Sequence, residues 1–170
     1  MGRRKIISII GGSAQTSLEK DNAIAFEIGV LLVDNGYRIL CGGYGGVMEA
    51  VCKGARSSSK YQEGDTIGII STLDSNDANE YCDIVIATGI HYARNQIITA
   101  SGDGVVAIGG GSGTLSEIAF AWQLGKPIFS YKKTGWSGKL SEMQLDNKRS
   151  DTIIGYDTAQ QLIEKLNALF

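Results

Sequence analysis

Seven short apolar runs alternate along this chain with longer segments whose apolar residues recur at helical spacing. The runs cover residues 6–10, 37–40, 66–70, 84–87, 104–108, 127–131 and 152–154. Short runs without a polar face are typical of strands buried on both faces of a parallel sheet. Alternation with helices therefore predicts a doubly wound, Rossmann-like α/β fold, with a mostly parallel sheet of about seven strands and helices on both faces.

The helical segments carry recognisable ends. The first closes at Asn35-Gly36, a glycine stop, and the last is expected to begin at Asp157 or Thr158, both good N-caps. The chain has 170 residues and shows no internal repeat or long linker. We therefore expect residues 1–170 to form a single Rossmann-like nucleotide-binding domain.

The overall charge argues against a nucleic-acid or membrane surface. The formal net charge is −2 at pH 7, whereas such surfaces require a basic stripe. No apolar run approaches the length of a transmembrane helix. The basic residues 3–5 run directly into a short apolar segment, so we expect a solvated terminus and not a signal peptide. These features predict a cytoplasmic protein with no nucleic-acid and no membrane partner.

The cysteines and the single histidine do not predict a metal site. Cys41, Cys52 and Cys82 are an odd number without CxxC spacing, and each lies in or beside an apolar segment. We expect them to be buried, reduced thiols. His91 has no second histidine or cysteine at ligand spacing, so no dedicated transition-metal site is expected.

One glycine turn indicates a ligand more strongly than any other segment. Residues 105–117, VVAIGGGSGTLSE, have the pattern of a buried strand, a glycine turn and a helix start. Glycines let backbone N–H groups approach a ligand, and a helix N-terminus favours a phosphate. We expect the same helix end to keep Glu117 ionised, within reach of what the phosphate carries. The predicted phosphate cradle consists of Gly110, Gly111, Ser112, Gly113 and Thr114.

Two further apolar runs end in glycine turns, at residues 11–13 and 42–46. Because parallel strands finish at one edge of the sheet, the three turns are expected to converge there. The residues predicted to complete the cleft are Gly12 and Ser13, with Gly43 and Gly46 on the opposite wall. Arg94 follows the run at 84–87 and opens a helix at the same edge. It is predicted to bind phosphate in a bidentate manner or to face Glu117.

The familiar nucleotide fingerprints are missing. None of the three turns matches G-x-G-x-x-G, and the second strand ends in Cys41-Gly42-Gly43, where an NAD enzyme would offer an acidic residue to the ribose. No G-x-x-x-x-G-K-[ST] motif occurs. A dehydrogenase and a phosphate-loop NTPase are thereby disfavoured. The ligand class that remains compatible with these turns is a nucleoside monophosphate or a similarly small phosphorylated molecule.

Residues 109–117 resemble the PGGxGTxxE signature of the LOG family, also called lysine decarboxylase-like proteins. Residues 41–48 resemble that family's GGGxxGLM segment, and Arg94 aligns with the arginine of its RK pair. The likeness covers nearly the whole chain, and the chain is also similar to the related molybdenum cofactor carrier proteins. The resemblance implies a homodimer or homotetramer. It also implies hydrolysis of a nucleoside 5′-monophosphate to free base and ribose 5-phosphate, with Glu117 and Arg94 as catalytic residues.

Three positions depart from the family pattern. Gly109 stands in place of a proline, Cys41 in place of a glycine, and Asn95 in place of the lysine after the arginine. Loss of that lysine removes one cation from the site. This favours an alternative function, in which the protein binds or carries a nucleotide or the phosphorylated pterin of the molybdenum cofactor without turnover. No pyridoxal phosphate site is recognisable, and no resident cofactor is expected.

Overall fold

A computed structural model describes residues 2–170, and its centre is a sheet of seven parallel strands. The strands lie in the order β4-β3-β2-β1-β5-β6-β7. This confirms the predicted Rossmann-like α/β fold. The strands are β1 (Ile6–Gly11), β2 (Arg38–Cys41), β3 (Thr66–Ile70), β4 (Ile84–Ala87), β5 (Gly104–Ile108), β6 (Ile128–Tyr131) and β7 (Ile154–Tyr156).

Helices cover both faces of the sheet. The helices are α1 (Glu19–Asp34), α2 (Val47–Ser57), α3 (Arg94–Ser101), α4 (Ser112–Gln123), α5 (Gly135–Leu140) and α6 (Ala159–Leu169). Helices α1, α2 and α6 pack on one face, and α3 and α4 pack on the other, with α5 beside α4. Within residues 2–170, no helix combines the length and apolar character that crossing a bilayer requires.

The strand order places a switch point beside β1. Strand β1 pairs with β2 on one side and with β5 on the other. The connections after β1 and β5 therefore diverge to opposite faces and leave a crevice between them. Ligands of open α/β sheets bind outside the carboxyl ends of the strands at such a point. The turns at residues 11–13 and 109–113 border this crevice.

The central strands are buried on both faces because their side chains alternate between two hydrophobic cores. Ile7 and Ile9 pack in the core beneath α1, α2 and α6, whereas Ile10 packs in the core beneath α3 and α4. Full burial of one such side chain stabilises a fold by about 1.5–3 kcal/mol. The apolar runs of the sequence thus form the buried strands, and the turns that follow these strands form the site.

The edges of the sheet differ from the sequence prediction. Strand β4 is an edge strand, and Ile84 and Ile86 are 46% and 47% exposed. The prediction that each apolar run is buried on both faces is wrong there. Strand β7 begins at Ile154, two residues later than predicted, because Ile153 pairs with the backbone of residues 142–143. Thr158 is confirmed as the N-cap of α6.

Candidate functional site

The turn between β5 and α4 is shaped by two glycines in left-handed conformation. Gly109 has a φ of +60° and Gly110 a φ of +84°. A Cβ at Gly109 would lie 2.6 Å from Asp21 Oδ2, and one at Gly110 would overlap the Thr114 side chain. A side chain at either position would be strained and crowded. The chain therefore turns sharply from the end of β5 into the start of α4.

Side chains from other elements hold this turn in place. The Gly109 N–H donates to Ser137 Oγ (2.7 Å), and the Ser137 hydroxyl donates to the carbonyl of Tyr131 (2.8 Å). The Thr134 hydroxyl donates to Asp21 Oδ1 (2.6 Å), and Asp21 is buried. Sequence analysis missed this bracing, because none of these residues belongs to a recognisable motif.

Helix α4 begins at the crevice with its backbone open to a ligand. The first N–H groups of a helix have no partner within the helix. A Cβ added at Gly111 or at Gly113 would meet no other atom within 4 Å. Both glycines line the crevice. The helix end thus presents backbone donors and the positive end of its dipole to an approaching anion.

The crevice has two adjoining lobes. The inner lobe, about 310 Å³, lies between the end of β1, the β5–α4 turn and the start of α3. The outer lobe, about 560 Å³, lies between the β1–α1 connection, the β2–α2 turn and the segment before α3. Ser13, Met48, Tyr92 and Arg94 line both lobes. Their sizes suit a small-molecule ligand with two chemically different halves.

The structure brings together most of the predicted site residues. Those that line the inner lobe are Ser13, Arg94, Gly111, Ser112, Gly113, Thr114 and Glu117. Gly12, Gly43, Gly46 and Gly110 do not line either lobe and instead shape the turns. The other lining residues of the inner lobe, which sequence analysis did not list among the site residues, are Ile9, Ile10, Gly11, Thr16, Gly42, Met48, Tyr92 and Asn95.

Gly43 and Gly46 of the turn between β2 and α2 face protein atoms, although Gly42, Tyr44 and Gly45 of the same turn line the crevice. A Cβ at Gly46 would lie 2.5 Å from the Gly12 carbonyl oxygen, and one at Gly43 would lie 2.6 Å from Ile70 Cγ2. The Val47 N–H donates to that same Gly12 carbonyl (3.0 Å). These glycines allow the β1–α1 and β2–α2 turns to approach each other closely.

Arg94 occupies the junction of the two lobes. A Cβ at Gly42 would lie 2.8 Å from Arg94 Nη1, so the absent side chain makes room for the guanidinium. The guanidinium also lies over the Tyr44 ring, 5.5 Å from its centroid. Its Nε is buried and has no hydrogen-bond partner among residues 2–170. A bound anion would supply the partner that this donor lacks.

Asn95 fixes the position of Arg94 relative to α4. It is 6% exposed, and its Oδ1 accepts a hydrogen bond from Arg94 Nη1 (3.2 Å). Its Nδ2 donates to Ser116 Oγ (3.2 Å). Where the LOG pattern has a lysine, this chain therefore has a neutral side chain that bridges α3 and α4.

Glu117 is a buried carboxyl group at the base of the inner lobe. It is 7% exposed, and burial raises its pKa from 4.5 to about 8, although the positive charge of Arg94 opposes this shift. Within residues 2–170 it has no ion-pair partner within 4 Å. The expectation that the helix end keeps it ionised did not include this burial, and Glu117 lies beyond the first turn of α4, where the effect of the dipole has faded.

Aromatic side chains border the outer lobe. The Tyr44 hydroxyl is hydrogen-bonded to Ser71 Oγ (2.8 Å), which fixes its ring at the back of the lobe. Tyr92 is 87% exposed, and His91 beside it adopts a left-handed φ of +49°. Exposed and anchored rings of this kind offer flat surfaces to a planar heterocycle.

Fold and crevice together define a Rossmann-like α/β protein with a glycine-lined cleft at the switch point of its sheet. More narrowly, the chain belongs to the SLOG cluster4 family, whose model matches residues 4–167. This confirms the resemblance to LOG-like proteins found in the sequence.

Two relatives match parts of this chain. An uncharacterised protein of Archaeoglobus fulgidus is 41% identical over 114 residues, which are 67% of this chain and 72% of the relative. A cytokinin riboside 5′-monophosphate phosphoribohydrolase of Mycobacterium tuberculosis is 31% identical over 106 residues. That match covers 58% of this chain and 52% of the enzyme, so it spans about half of the enzyme's length.

Solved structures match the whole chain. The molybdenum cofactor binding protein of Rippkaea orientalis superimposes with a TM-score of 0.85 at 31% identity, covering 98% of both chains. The molybdenum cofactor carrier protein of Chlamydomonas reinhardtii gives a TM-score of 0.82 at 27% identity, again over 98% of both chains. The fold of this chain is therefore shared from end to end with carrier proteins.

Proposed function

We propose that this protein binds a small phosphorylated heterocyclic ligand, a nucleotide or a phosphorylated pterin of the molybdenum cofactor type, and carries it without cleaving it. The observation that supports this most is the burial of Glu117 in the inner lobe, which raises the pKa of its carboxyl group to about 8. A buried carboxyl group with a pKa of about 8 is neutral at pH 7 and donates a hydrogen bond where an ionised one would accept.

The phosphate of such a ligand fits the inner lobe. The open backbone at Gly111 and Gly113 supplies N–H donors, and the unpartnered Nε of Arg94 supplies a charge-assisted one. The heterocycle then extends into the outer lobe, where Tyr44 and Tyr92 offer aromatic faces. The inner lobe thus holds the charged half of the ligand, and the outer lobe holds its planar half.

Hydrolysis of an N-glycosidic bond makes a different demand on the carboxyl group. The sugar passes through an oxocarbenium-like state, which an ionised carboxylate stabilises and a neutral carboxyl group does not. A bound phosphate adds negative charge near Glu117 and raises its pKa further. The neutral group instead suits a hydrogen bond to a ligand oxygen or ring nitrogen, which supports binding without turnover.

The proteins that resemble this chain over its whole length also support binding without cleavage. The Rippkaea and Chlamydomonas proteins that match over 98% of both chains are described as a cofactor binding and a cofactor carrier protein. The phosphoribohydrolase of Mycobacterium tuberculosis matches over 58% of this chain. Asn95 also leaves the cleft without the second cation of the LOG pattern.

A second candidate function is phosphoribohydrolase activity. Arg94 and Glu117 line one lobe, as the catalytic roles implied by the LOG resemblance require. In that case an ionised Glu117 would stabilise the positive charge that develops on the sugar and orient water, while Arg94 holds the phosphate. The Mycobacterium tuberculosis relative supports this candidate.

Glu117→Gln separates the two functions, because glutamine keeps a neutral hydrogen-bond donor but cannot carry the negative charge that hydrolysis requires. Binding of AMP, GMP, CMP, UMP and isolated molybdopterin is measured by calorimetry, and free base is measured by chromatography. We expect binding without base release. Glu117→Gln should keep the affinity, whereas Glu117→Ala should lower it about 10-fold through loss of one hydrogen bond.

Glu164→Gln is the matched control, since Glu164 is an exposed carboxylate on α6, far along the chain from the cleft residues. It should change neither binding nor product formation. Release of base from any of the four monophosphates, abolished by Glu117→Gln and kept in Glu164→Gln, would overturn the carrier proposal in favour of the hydrolase.

A further inference from the structure

Three cysteines that are far apart in the sequence meet behind the β2–α2 turn. Cys41 ends β2, Cys52 lies in α2, and Cys82 lies just before β4. Their sulfur atoms all lie within 4.8 Å of one another, and the Cys41 and Cys52 sulfurs are 3.7 Å apart. The expectation of no metal site considered spacing along the chain, which does not reveal this convergence.

We propose that Cys41, Cys52 and Cys82 form a trigonal all-sulfur site for a soft monovalent cation, of which Cu(I) is the best match. Metal–thiolate bonds of about 2.3 Å place three sulfurs around one ion about 4 Å apart. The Cys41–Cys52 separation of 3.7 Å is close to this value and the Cys82 sulfur lies within 4.8 Å of both, so small side-chain adjustments close the site around an ion. The site lies outside both lobes of the cleft and does not depend on the proposed carrier function.

The ligand set selects against harder or four-coordinate ions. Soft thiolate ligands favour Cu(I) and Zn²⁺ over oxygen-seeking cations. Structural Zn²⁺ is held by four ligands, yet within residues 2–170 no histidine, aspartate, glutamate or further cysteine joins the three sulfurs. Cu(I) is satisfied by three thiolates, so the trigonal set fits it without a fourth partner.

The three cysteines differ in burial. Cys41 and Cys52 are fully buried, whereas Cys82 is half-buried and is thus the nearest of the three to solvent. A Cβ at Gly68 would lie 2.8 Å from the Cys82 sulfur, so a larger residue there would push this thiol out of position.

Loading of the site would be a ligand exchange. The thiols that are protonated before loading would release their protons to solvent, three Cu–S bonds would form, and no oxidation state would change.

An anaerobic competition titration tests the site. The purified protein is titrated with Cu(I) against a chromophoric Cu(I) chelator, and with Zn²⁺ as a second probe. X-ray absorption spectroscopy then reports the coordination number. We expect one Cu(I) per chain with three sulfur neighbours. Cys82→Ser and Cys52→Ser should each lower the Cu(I) affinity by about 100-fold or more, because two thiolates remain.

Two controls keep the test decisive. Met143→Leu removes an exposed sulfur elsewhere on the protein and should leave Cu(I) binding unchanged. Circular dichroism verifies that each variant is folded, and the half-buried Cys82 is the position at which serine disturbs packing least. A folded wild-type protein that yields all its Cu(I) to the chelator would overturn the proposal. So would unchanged affinity in folded Cys82→Ser, or four-coordinate Zn²⁺ binding without Cu(I) binding.

Discussion

The β2–α2 turn and the β5–α4 turn contain similar runs of glycine, but the glycines serve different purposes. In the β2–α2 turn, added Cβ atoms at Gly42, Gly43 and Gly46 would each come within 3 Å of protein atoms. In the β5–α4 turn, Gly111 and Gly113 have open space where a side chain would stand. One turn is glycine-rich because parts of the protein pack closely there, and the other leaves its backbone open to a ligand.

This difference explains why glycine-rich segments alone overstate a binding site. A glycine after a strand indicates that another group approaches the backbone closely. That group can be a neighbouring segment of the protein or a ligand. Both kinds of glycine occur within the β5–α4 turn. The left-handed conformations of Gly109 and Gly110 form the bend, and the bend presents the open backbone of the next residues to a ligand. Substitutions at individual glycines should therefore separate stability from ligand affinity.

The largest expected effect is that of Gly46→Ala on stability. Gly46 has a φ of +78°, and a Cβ there would lie 2.5 Å from the Gly12 carbonyl oxygen. Strain and crowding together should lower the free energy of unfolding by about 3 kcal/mol or more. Equilibrium urea denaturation measures this loss.

Gly36→Ala is the matched control for crowding. Gly36 has a similar φ of +82°, but a Cβ there would meet no atom within 4 Å. This variant should lose only the cost of the left-handed conformation, about 1–2 kcal/mol. An equal loss in Gly36→Ala and Gly46→Ala would show that the β2–α2 turn is not closely packed, and the contrast between the two turns would fail.

The smallest expected effect on stability is that of Gly113→Ala. Alanine is a better helix former than glycine, so the free energy of unfolding should rise by up to about 1 kcal/mol. The new methyl group would nevertheless stand in the inner lobe, and we expect affinity for the phosphorylated ligand to fall about 10-fold. Calorimetry and urea denaturation of the same sample measure both quantities.

Gln123→Ala, at the opposite end of α4, serves as the control for helix propensity. It should leave ligand affinity unchanged. If Gly113→Ala binds the ligand as tightly as wild type does, the open space at the start of α4 is not the phosphate site.

Much of the fold could be predicted from the sequence because local patterns determine it. Residues 66–70, 84–87 and 104–108 were predicted as strands and are strands with those same bounds. The exposure of Ile84 could not be predicted in this way, because an apolar run does not reveal that its strand lies at the edge of the sheet. Strand order is a property of the whole chain.

The candidate site was predicted in outline but not in its supporting contacts. Glu117 and Arg94 follow recognisable turns, and the structure places both in the inner lobe. The hydrogen bond between Asp21 and Thr134 joins residues more than a hundred positions apart and has no sequence signature. The raised pKa of Glu117 could not be predicted from the sequence either, since it depends on burial by the completed fold.

The raised pKa of Glu117 also links the site to stability. Below pH 4.5 the carboxyl group is protonated in both the folded and the unfolded chain, so its contribution to stability is fully present. Between 4.5 and about 8 only the folded state keeps the proton, and stability should fall as pH rises. The expected slope from this group is about 1.4 kcal/mol per pH unit, and Glu117→Gln should abolish it.

The most direct test of the neutral carboxyl group is its own titration. The carbon-13 resonance of the Glu117 side-chain carboxyl is followed from acidic to alkaline pH and assigned by its disappearance in Glu117→Gln. The carrier proposal predicts a midpoint near 8, with the group protonated at neutral pH. A midpoint near 4.5, the usual value for glutamate, would contradict it and leave an ionised carboxylate suited to glycosidic hydrolysis.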